Sequence, residues 1–489
     1  MAAVLAIDAG TTGVTALIVD ETGAVIARGY AEFAQHFPAD GWVEHELADI
    51  WAATLQATRA ARALTDAPID AIGITNQRET VCFWDRETLG AARRAIVWQD
   101  RRTAAMCEAL QAEDRVRELT GLRLDPYFSA TKIAWVREHD PLTWTHVESG
   151  RVAIGTVDAY LAARMSRGVA HITDATNASR TLLYDLHTGA WSAELCDLFG
   201  VPMDALPRIV PSYGRLAHSE PSAFLGIDAP ITGIAGDQQA ALVGQAGFAP
   251  GDAKCTYGTG SFLLVNTGNL PRIADRGLLT TVALEHPDGT RTFALEGAVF
   301  VTGAAVQWLR DGLGIIASAP DVEALAASVP DSGGIVFVPA LTGLGAPEWD
   351  PNARGLIIGI TRGTTAAHLA RATLEAIAYQ VGDLVTLMTD SGELALTALA
   401  VDGGAAANDL LCQMQANVLG HPVDRSAELQ TTGLGAAFLA GLGIGRWTLD
   451  DLRTTRRSSG VFTPRADDTL NHARWRAAVA RSRDWASVR

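Results

Sequence analysis

Apolar and polar positions alternate in short blocks from the start of the chain. "VLAIDAG", "TALIVD" and "AVIARGYAEF" follow one another, joined by glycine-bearing turns at 10–13 and 21–23. Short runs rich in Val and Ile, bounded by Gly, Asp and Thr, predict three consecutive strands. "ELADIWAATLQATRAARALT" is amphipathic and Ala-rich, which predicts a helix. "AIGITN" and "TVCFWD" return to strand, with the polar knot Asn76-Gln77-Arg78-Glu79 between them. "RRTAAMCEALQAEDRVREL" predicts one further helix. A second series opens after "GFAPGDAK": "CTYGTGSFLLVNTG", "LTTVALEH" and "TRTFALEG" predict strands, and "AAVQWLRDGLG" a helix. A terminal amphipathic helix is predicted over 470–486. The signal of strand, Gly/Thr turn and strand thus occurs twice, near Asp8 and near Gly258. It reads either as a duplicated architecture or as coincidence in a chain rich in both residues.

Length and composition sharpen this picture. A chain of 489 residues is too long for one compact core, so two or three domains are expected. The boundary falls at about 247–251, giving domains of 1–248 and 249–489. With 48% hydrophobic residues, 47 glycines and alternating elements, the fold class is α/β. The net charge of −16 argues against nucleic-acid or anionic-membrane partners. It leaves room for a nucleotide, because glycine-rich turns and helix N-termini bind phosphate on acidic proteins too. The five cysteines are scattered, with no C-x-x-C pair, as expected of reduced thiols and not of a disulfide framework or zinc site. "MAAVLAIDAG" is not a signal peptide, and no apolar run approaches the ~20 residues that span a bilayer. The expectation is a soluble, cytoplasmic protein.

Four stretches carry candidate chemistry. In "IDAGTTGVTALIVD" an aspartate ends a strand and Gly-Thr-Thr-Gly turns into the next. Glycine lets backbone N–H groups approach an anion, threonine adds donors, and Asp8 could hold Mg²⁺. On this stretch alone, an ordinary hairpin with an aspartate in its turn is the stronger reading. In "ITGIAGDQQAALVGQAG", Asp237 follows an apolar strand and precedes a helix. It is either the helix N-cap or a carboxylate at a strand's carboxyl end, where α/β folds place ligands. "YGTGSFLLVNTG" holds a second donor-rich turn, Gly258-Thr259-Gly260-Ser261. "VDGGAAANDLLCQMQAN" holds Gly403-Gly404, which permits close approach to a flat ligand, with Asn408 shortly after.

Together, two Asp–Gly turns, a Gly-Thr-Gly turn and a late Gly-Gly pair resemble the actin-like ATPase plan. Almost end to end, the sequence is similar to the FGGY carbohydrate kinases, and within them to those that phosphorylate glycerol. "GWVEHELADIW", "GITNQRET", "AIVWQDRRT", "DPYFSATKIAW", "TDATNASRTLL", "GIAGDQQAAL", "LEGAVFVTGAAVQWLRD" and "GLIIGITRGTTAAHLARATLE" carry the resemblance. It implies two actin-like (ribonuclease H-like) domains flanking a cleft, with ATP and Mg²⁺ across both and glycerol mainly against the first. It places hydroxyl binding on Arg78, Glu79, Tyr127, Asp237 and Gln238, with aromatic walls at Trp98 and Phe262. Asp237 takes the role of general base, and Asp8 with Asp237 the Mg²⁺ side. Thr11, Thr12, Gly13, Thr259, Gly303, Gln307, Gly404 and Asn408 take the phosphate and nucleotide contacts. A homodimer or homotetramer is also implied.

The resemblance breaks at one position. Where these kinases commonly carry an arginine in the first loop, this chain has Thr15, and a cationic phosphate contact is lost. The region "GRLAHSEPSAFLGIDAP" lacks the Gly-Gly-Lys-Gly-Gly-type effector loop, and His218 reads as a solvated surface histidine. The neighbouring readings are a kinase for erythritol or xylulose, and a non-catalytic sensor on the same fold.

Overall fold

The computed structural model describes residues 2–274, 277–389, 394–466 and 470–487. Two large mixed sheets organise the chain. The first has six strands in the order Tyr213–His218, Pro230–Gly236, Ile69–Asn76, Ala3–Ala9, Gly13–Val19, Val25–Glu32. Ala3–Ala9, Gly13–Val19 and Val25–Glu32 form an antiparallel meander, and Ile69–Asn76 and Pro230–Gly236 add in parallel. The central strands are buried on both faces and read as continuous apolar runs. Val25–Glu32, at the edge, alternates buried and exposed residues.

The second sheet has seven strands, in the order Leu279–Glu285, Arg291–Val299, Ser261–Gly268, Ala253–Tyr257, Leu399–Asp402, Val423–Ser426, Ser458–Phe462. Its core repeats the first: an antiparallel meander beside Ala253–Tyr257, then two parallel strands, then an antiparallel edge. The duplicated reading of the two turn signals therefore holds, and the fold is the two-domain actin-like ATPase architecture.

Three elements differ from the expectation. The helix predicted over 101–119 is two helices, Ala104–Ala109 and Glu113–Thr120. Leu110 turns extended, and the second helix starts afresh with Glu113 and Asp114 in its first turn, where acidic residues suit the helix dipole. The strand Cys82–Asp85 leaves the main sheet and pairs with Val152–Gly155. The terminal helix is His472–Ser482, with Asn471 capping it by accepting from the Arg474 N–H at 3.0 Å. Arg483 is extended, and a separate short turn follows at Trp485–Ser487.

One element ties the halves together. Helix Thr431–Gly443, "TTGLGAAFLAGLG", lies on the first sheet and against helix Asp237–Gly244. Its small residues permit backbone contact. A Cβ at Gly73 of the sheet would lie 2.1 Å from the Ala436 carbonyl, and one at Gly435 would lie 1.7 Å from the Ala240 carbonyl. Among the described residues, no helix is long and apolar enough to cross a membrane.

Candidate functional site

The first turn closes tightly, with the Gly10 N–H donating to the Gly13 carbonyl at 3.0 Å. Asp8 sits just before it, at the carboxyl end of the central strand. Burial and the nearby Asp237 charge raise the Asp8 carboxyl to about 7. Thr75 is its parallel-strand neighbour, fully buried, and the Thr75 hydroxyl has no hydrogen-bond partner. Two carboxylates that repel one another beside an unpartnered hydroxyl suit a hydrated divalent cation. Mg²⁺ takes one or two carboxylates, keeps several waters and completes its shell with substrate phosphate. No group of three or more His, Cys, Asp or Glu side chains placed to hold a metal occurs among the described residues. Thr15 lies directly across the strand pair from Asp8, hence on the same sheet face. The departure from the usual arginine therefore falls beside the Asp8 carboxylate.

The polar knot follows the adjacent strand end, and its four side chains are buried. Gln77 ties it to the first turn, donating to the Gly10 carbonyl at 3.1 Å and accepting from the Thr80 hydroxyl at 2.9 Å. Glu79 has a φ of 61°, a left-handed conformation that costs a non-glycine residue about 1 kcal/mol or more. That turn presents Arg78 and Glu79 together. The Arg78 Nε forms an ion pair with the Asp237 Oδ1 at 3.0 Å, and Nη1 and Nη2 donate to Glu296 at 2.6 and 3.0 Å. Nη1 also donates to the Gln239 Oε1 at 3.2 Å. Gly236 makes room for this side chain, because a Cβ there would lie 2.6 Å from the Arg78 Cδ. One Glu79 oxygen accepts from the Arg180 Nε at 2.7 Å, and the other has no partner among the described residues.

Aromatic faces close this pocket. Trp98 stands edge-on to Tyr127 with centroids 5.5 Å apart, and to Phe262 of the second sheet at 6.5 Å. The indole N–H of Trp98 donates to the Thr11 hydroxyl at 2.9 Å, linking the wall to the first turn. Tyr127 is held by its loop. Buried Lys132 donates to the carbonyls of Pro126, Tyr127 and Phe128 at 2.5, 2.7 and 3.0 Å, and the Ser129 hydroxyl donates to the Glu79 carbonyl at 3.0 Å. Burial draws the Lys132 ammonium down to about 8.

Asp237 is the first residue of its helix, and Gly236 occupies the cap position. Its Oδ1 accepts from the Gln238 N–H at 2.7 Å, and the side chain stays 28% exposed. Of the two readings of this aspartate, the geometry favours a carboxylate presented at a strand end over an N-cap. Gln238 accepts from the ammonium of buried Lys254 on the second sheet, which also donates to the Thr256 hydroxyl at 3.0 Å.

In the second half, glycines bring three backbone segments together. A Cβ at Gly303 would lie 2.6 Å from the Gly258 carbonyl, and one at Gly403 would lie 2.5 Å from that of Tyr257. Gly403 has a φ of +86° and needs to be glycine on that count too. The Thr259 carbonyl accepts from the N–H groups of Thr302 and Ala304 at 2.9 and 3.1 Å, so the Gly-Thr-Gly turn abuts the start of helix Gly303–Asp311. A Cβ at Gly404 would meet no atom within 4 Å. Gln307 lies exposed on its helix. Asn408 caps helix Asp409–Leu419, its Oδ1 accepting from the Leu411 N–H at 2.8 Å, and its amide nitrogen has no hydrogen-bond partner among the described residues. His218 is exposed and bonds Asp228 at 2.7 Å, as a solvated surface pair.

The structure thus gathers Asp8, Arg78, Glu79, Trp98, Tyr127, Asp237, Gln238 and Phe262 about one site, with Thr11 joined through Trp98. Thr259, Gly303 and Gly404 line a second, glycine-built surface. Sequence reasoning missed Arg180, Gln239, Glu296, Lys132 and Lys254. Arg180 and Glu296 lie inside the quoted stretches "TDATNASRTLL" and "LEGAVFVTGAAVQWLRD", but nothing local in either marks the charge as buried or names its partner.

Two related ATPase domains meeting around paired carboxylates and a buried arginine define a phosphoryl-transfer enzyme. The sequence model for the FGGY family of carbohydrate kinases, N-terminal domain, matches residues 3–244, and that for the C-terminal domain matches residues 253–444. The chain belongs to the FGGY family of carbohydrate kinases. A glycerol kinase of Aromatoleum aromaticum is 51% identical over 498 aligned residues that cover all of both chains. A glycerol kinase of Myxococcus xanthus is 51% identical over 98% of this chain and 99% of that one. Among solved structures, Plasmodium falciparum glycerol kinase with ADP superposes with a TM-score of 0.91 at 33% identity, covering 99% of this chain and 98% of that chain. A xylulose kinase of Lactobacillus acidophilus shares the fold, with a TM-score of 0.84 at 20% identity over 100% and 98% of the two chains.

Proposed function

We propose that this enzyme transfers the γ-phosphoryl group of ATP to a primary hydroxyl of glycerol, giving sn-glycerol 3-phosphate for glycerol catabolism. The observation that carries the reading is the pocket of Arg78, Glu79 and Asp237 beneath Trp98, Tyr127 and Phe262. A triol presents hydroxyls that both donate and accept, with C–H edges between them. The open Glu79 oxygen accepts from one hydroxyl, the remaining Arg78 N–H donates to another, and the rings pack the carbon chain. A pocket built this way rejects analogues that leave its polar groups unpaired.

Asp237 takes the proton of the attacking hydroxyl through its free Oδ2. The oxygen bonds to phosphorus as the bond to the bridging oxygen breaks, and ADP leaves with that electron pair. The proton moves late, so positioning matters more than basicity. Arg78 holds Oδ1 and thereby fixes the carboxylate plane. Asp8, with Asp237, would hold Mg²⁺, which supplies charge neutralisation on the transferring phosphoryl group. Thr12, Gly13 and Thr259 meet the phosphates, and Gly303, Gln307, Gly404 and Asn408 meet the nucleoside. Closure of the two halves excludes water, the competing acceptor. The division into domains falls at 248/249, supported by the two sheets and crossed by helix Thr431–Gly443. The enzyme works in the cytoplasm, a reading supported by five buried, unpaired cysteines.

Asp237→Asn tests the assignment. Glycerol binding by calorimetry should persist while ADP release falls by at least ~10³-fold, in line with loss of a general base plus a Mg²⁺ contact. Turnover near the wild-type rate would remove Asp237 from the mechanism.

A further inference from the structure

Glu296 lies on strand Arg291–Val299 of the second sheet, far in sequence from the polyol pocket, yet it is fully buried against that pocket's arginines. Its two oxygens reach two guanidinium groups of the first half. Oε2 accepts from the Arg78 Nη1 at 2.6 Å, and Oε1 accepts from both the Arg78 Nη2 and the Arg180 Nη2 at 3.0 Å. Arg180 in turn holds Glu79. We infer that Glu296 is a positioning residue for polyol binding, setting Arg78 directly and Glu79 through Arg180 from the opposite domain. The inference deepens the proposed function and rests on Arg78 and Glu79 being the hydroxyl-binding pair.

The donors of Arg78 are nearly all committed. A guanidinium has five N–H groups in a fixed plane. In Arg78, Nη1 supplies Glu296 and Gln239, one Nη2–H supplies Glu296, and Nε faces the Asp237 carboxylate as an ion pair at 3.0 Å. The other Nη2–H lies on the same edge of the plane as Nε–H. It therefore points to the side on which Asp237 receives the attacking hydroxyl. Only an end-on, bidentate carboxylate leaves that edge free. Without Glu296, Arg78 can turn its fork onto Asp237, which consumes the spare donor and both carboxylate oxygens. A stability role accounts for this arrangement poorly, since buried ionic clusters are often replaceable by apolar side chains at no loss of stability.

The test is Glu296→Gln, which keeps the size but sets an amide NH₂ against one guanidinium. Calorimetry measures glycerol binding, and a fluorescent ADP analogue measures nucleotide binding. Thermal melting checks the fold. The expected result is glycerol Kd and KM raised at least tenfold, nucleotide Kd within twofold of wild type, and a cooperative melt. Glu296→Asp, which retains the charge one methylene short, should recover part of the glycerol affinity, and it carries the test alone if Glu296→Gln does not fold. Glycerol affinity within twofold of wild type in folded Glu296→Gln, or in Glu296→Asp where only that variant folds, overturns the inference. So does a parallel loss of glycerol and nucleotide binding, which marks a structural role. Failure of the wild-type chain to bind glycerol at all would sink the functional reading itself, and this inference with it.

Discussion

Gly435→Ala asks whether a contact remote from the pocket sets the position of the catalytic aspartate. Gly435 lies in helix Thr431–Gly443, whose backbone presses on helix Asp237–Gly244. A Cβ at Gly435 would lie 1.7 Å from the Ala240 carbonyl oxygen and 2.5 Å from its carbon. A carbon and an oxygen tolerate roughly 3.2 Å, so the helices must part by roughly 1.5 Å. The obstacle is backbone, which cannot rotate away. The helix that moves is eight residues long and starts at Asp237, three residues from the contact. Overpacking of this kind costs roughly 1–3 kcal/mol, and a displacement near ~1 Å at a reacting group can cost ~10²-fold in rate. The expectation is therefore a lowered melting temperature and a kcat reduced about 100-fold at saturating glycerol and ATP. Gly433→Ala is the control. Its Cβ would meet the Leu17 Cδ1 at 2.7 Å, the end of a side chain that can turn, and it should keep most activity. A Gly435→Ala enzyme with wild-type kcat and melting temperature would refute the idea that this packing positions Asp237.

Three further outcomes follow from the geometry. Gly404→Ala should fold normally, because its Cβ meets nothing within 4 Å, but raise the nucleotide KM severalfold by projecting toward the bound nucleoside; an unchanged KM removes Gly404 from that surface. Asp8→Asn should be inactive yet more stable than wild type without cation or nucleotide. A carboxyl raised to about 7 opposes folding increasingly as pH climbs from about 4, with the full penalty above 7. The stability gap should thus widen from pH 5 to pH 8, with a ceiling near ~4 kcal/mol, and a gap that stays flat with pH contradicts the burial argument. Thr15→Arg should lower the ATP KM at least tenfold, since a charge-assisted hydrogen bond is worth roughly 1.5–3 kcal/mol; no change places that side chain out of reach of the phosphates.

The local parts of the site were readable in the sequence. Asp8, the Gly10–Gly13 turn, the Arg78–Glu79 knot and Asp237 each stand where an apolar strand stops, and a short window shows that. Arg180 and Glu296 were not readable, because their partners lie 101 and 218 residues away and only the sheet topology joins them. Lys132 was hidden for a different reason. It binds three backbone carbonyls, an acceptor set that leaves no mark in side-chain pattern. The two predicted helical runs that came out shorter ended where single residues, Leu110 and Arg483, turn extended, which period counting does not detect. The Gly/Ala run 431–443 has no polar face to betray what it touches, since both its sides are buried across two domains.

The identity of the phosphoryl acceptor is tested directly by turnover. ADP release should be followed with Mg-ATP and, in turn, glycerol, erythritol, D-xylulose and gluconate, with the phosphorylated product identified by ³¹P NMR. The expected product is glycerol 3-phosphate, with kcat/KM for glycerol at least ~10²-fold above every other acceptor, because each misplaced or missing hydroxyl leaves Arg78, Glu79 or Asp237 unpaired. Faster turnover of a four- or five-carbon acceptor, or binding of glycerol and ATP with no ADP formed, would contradict it.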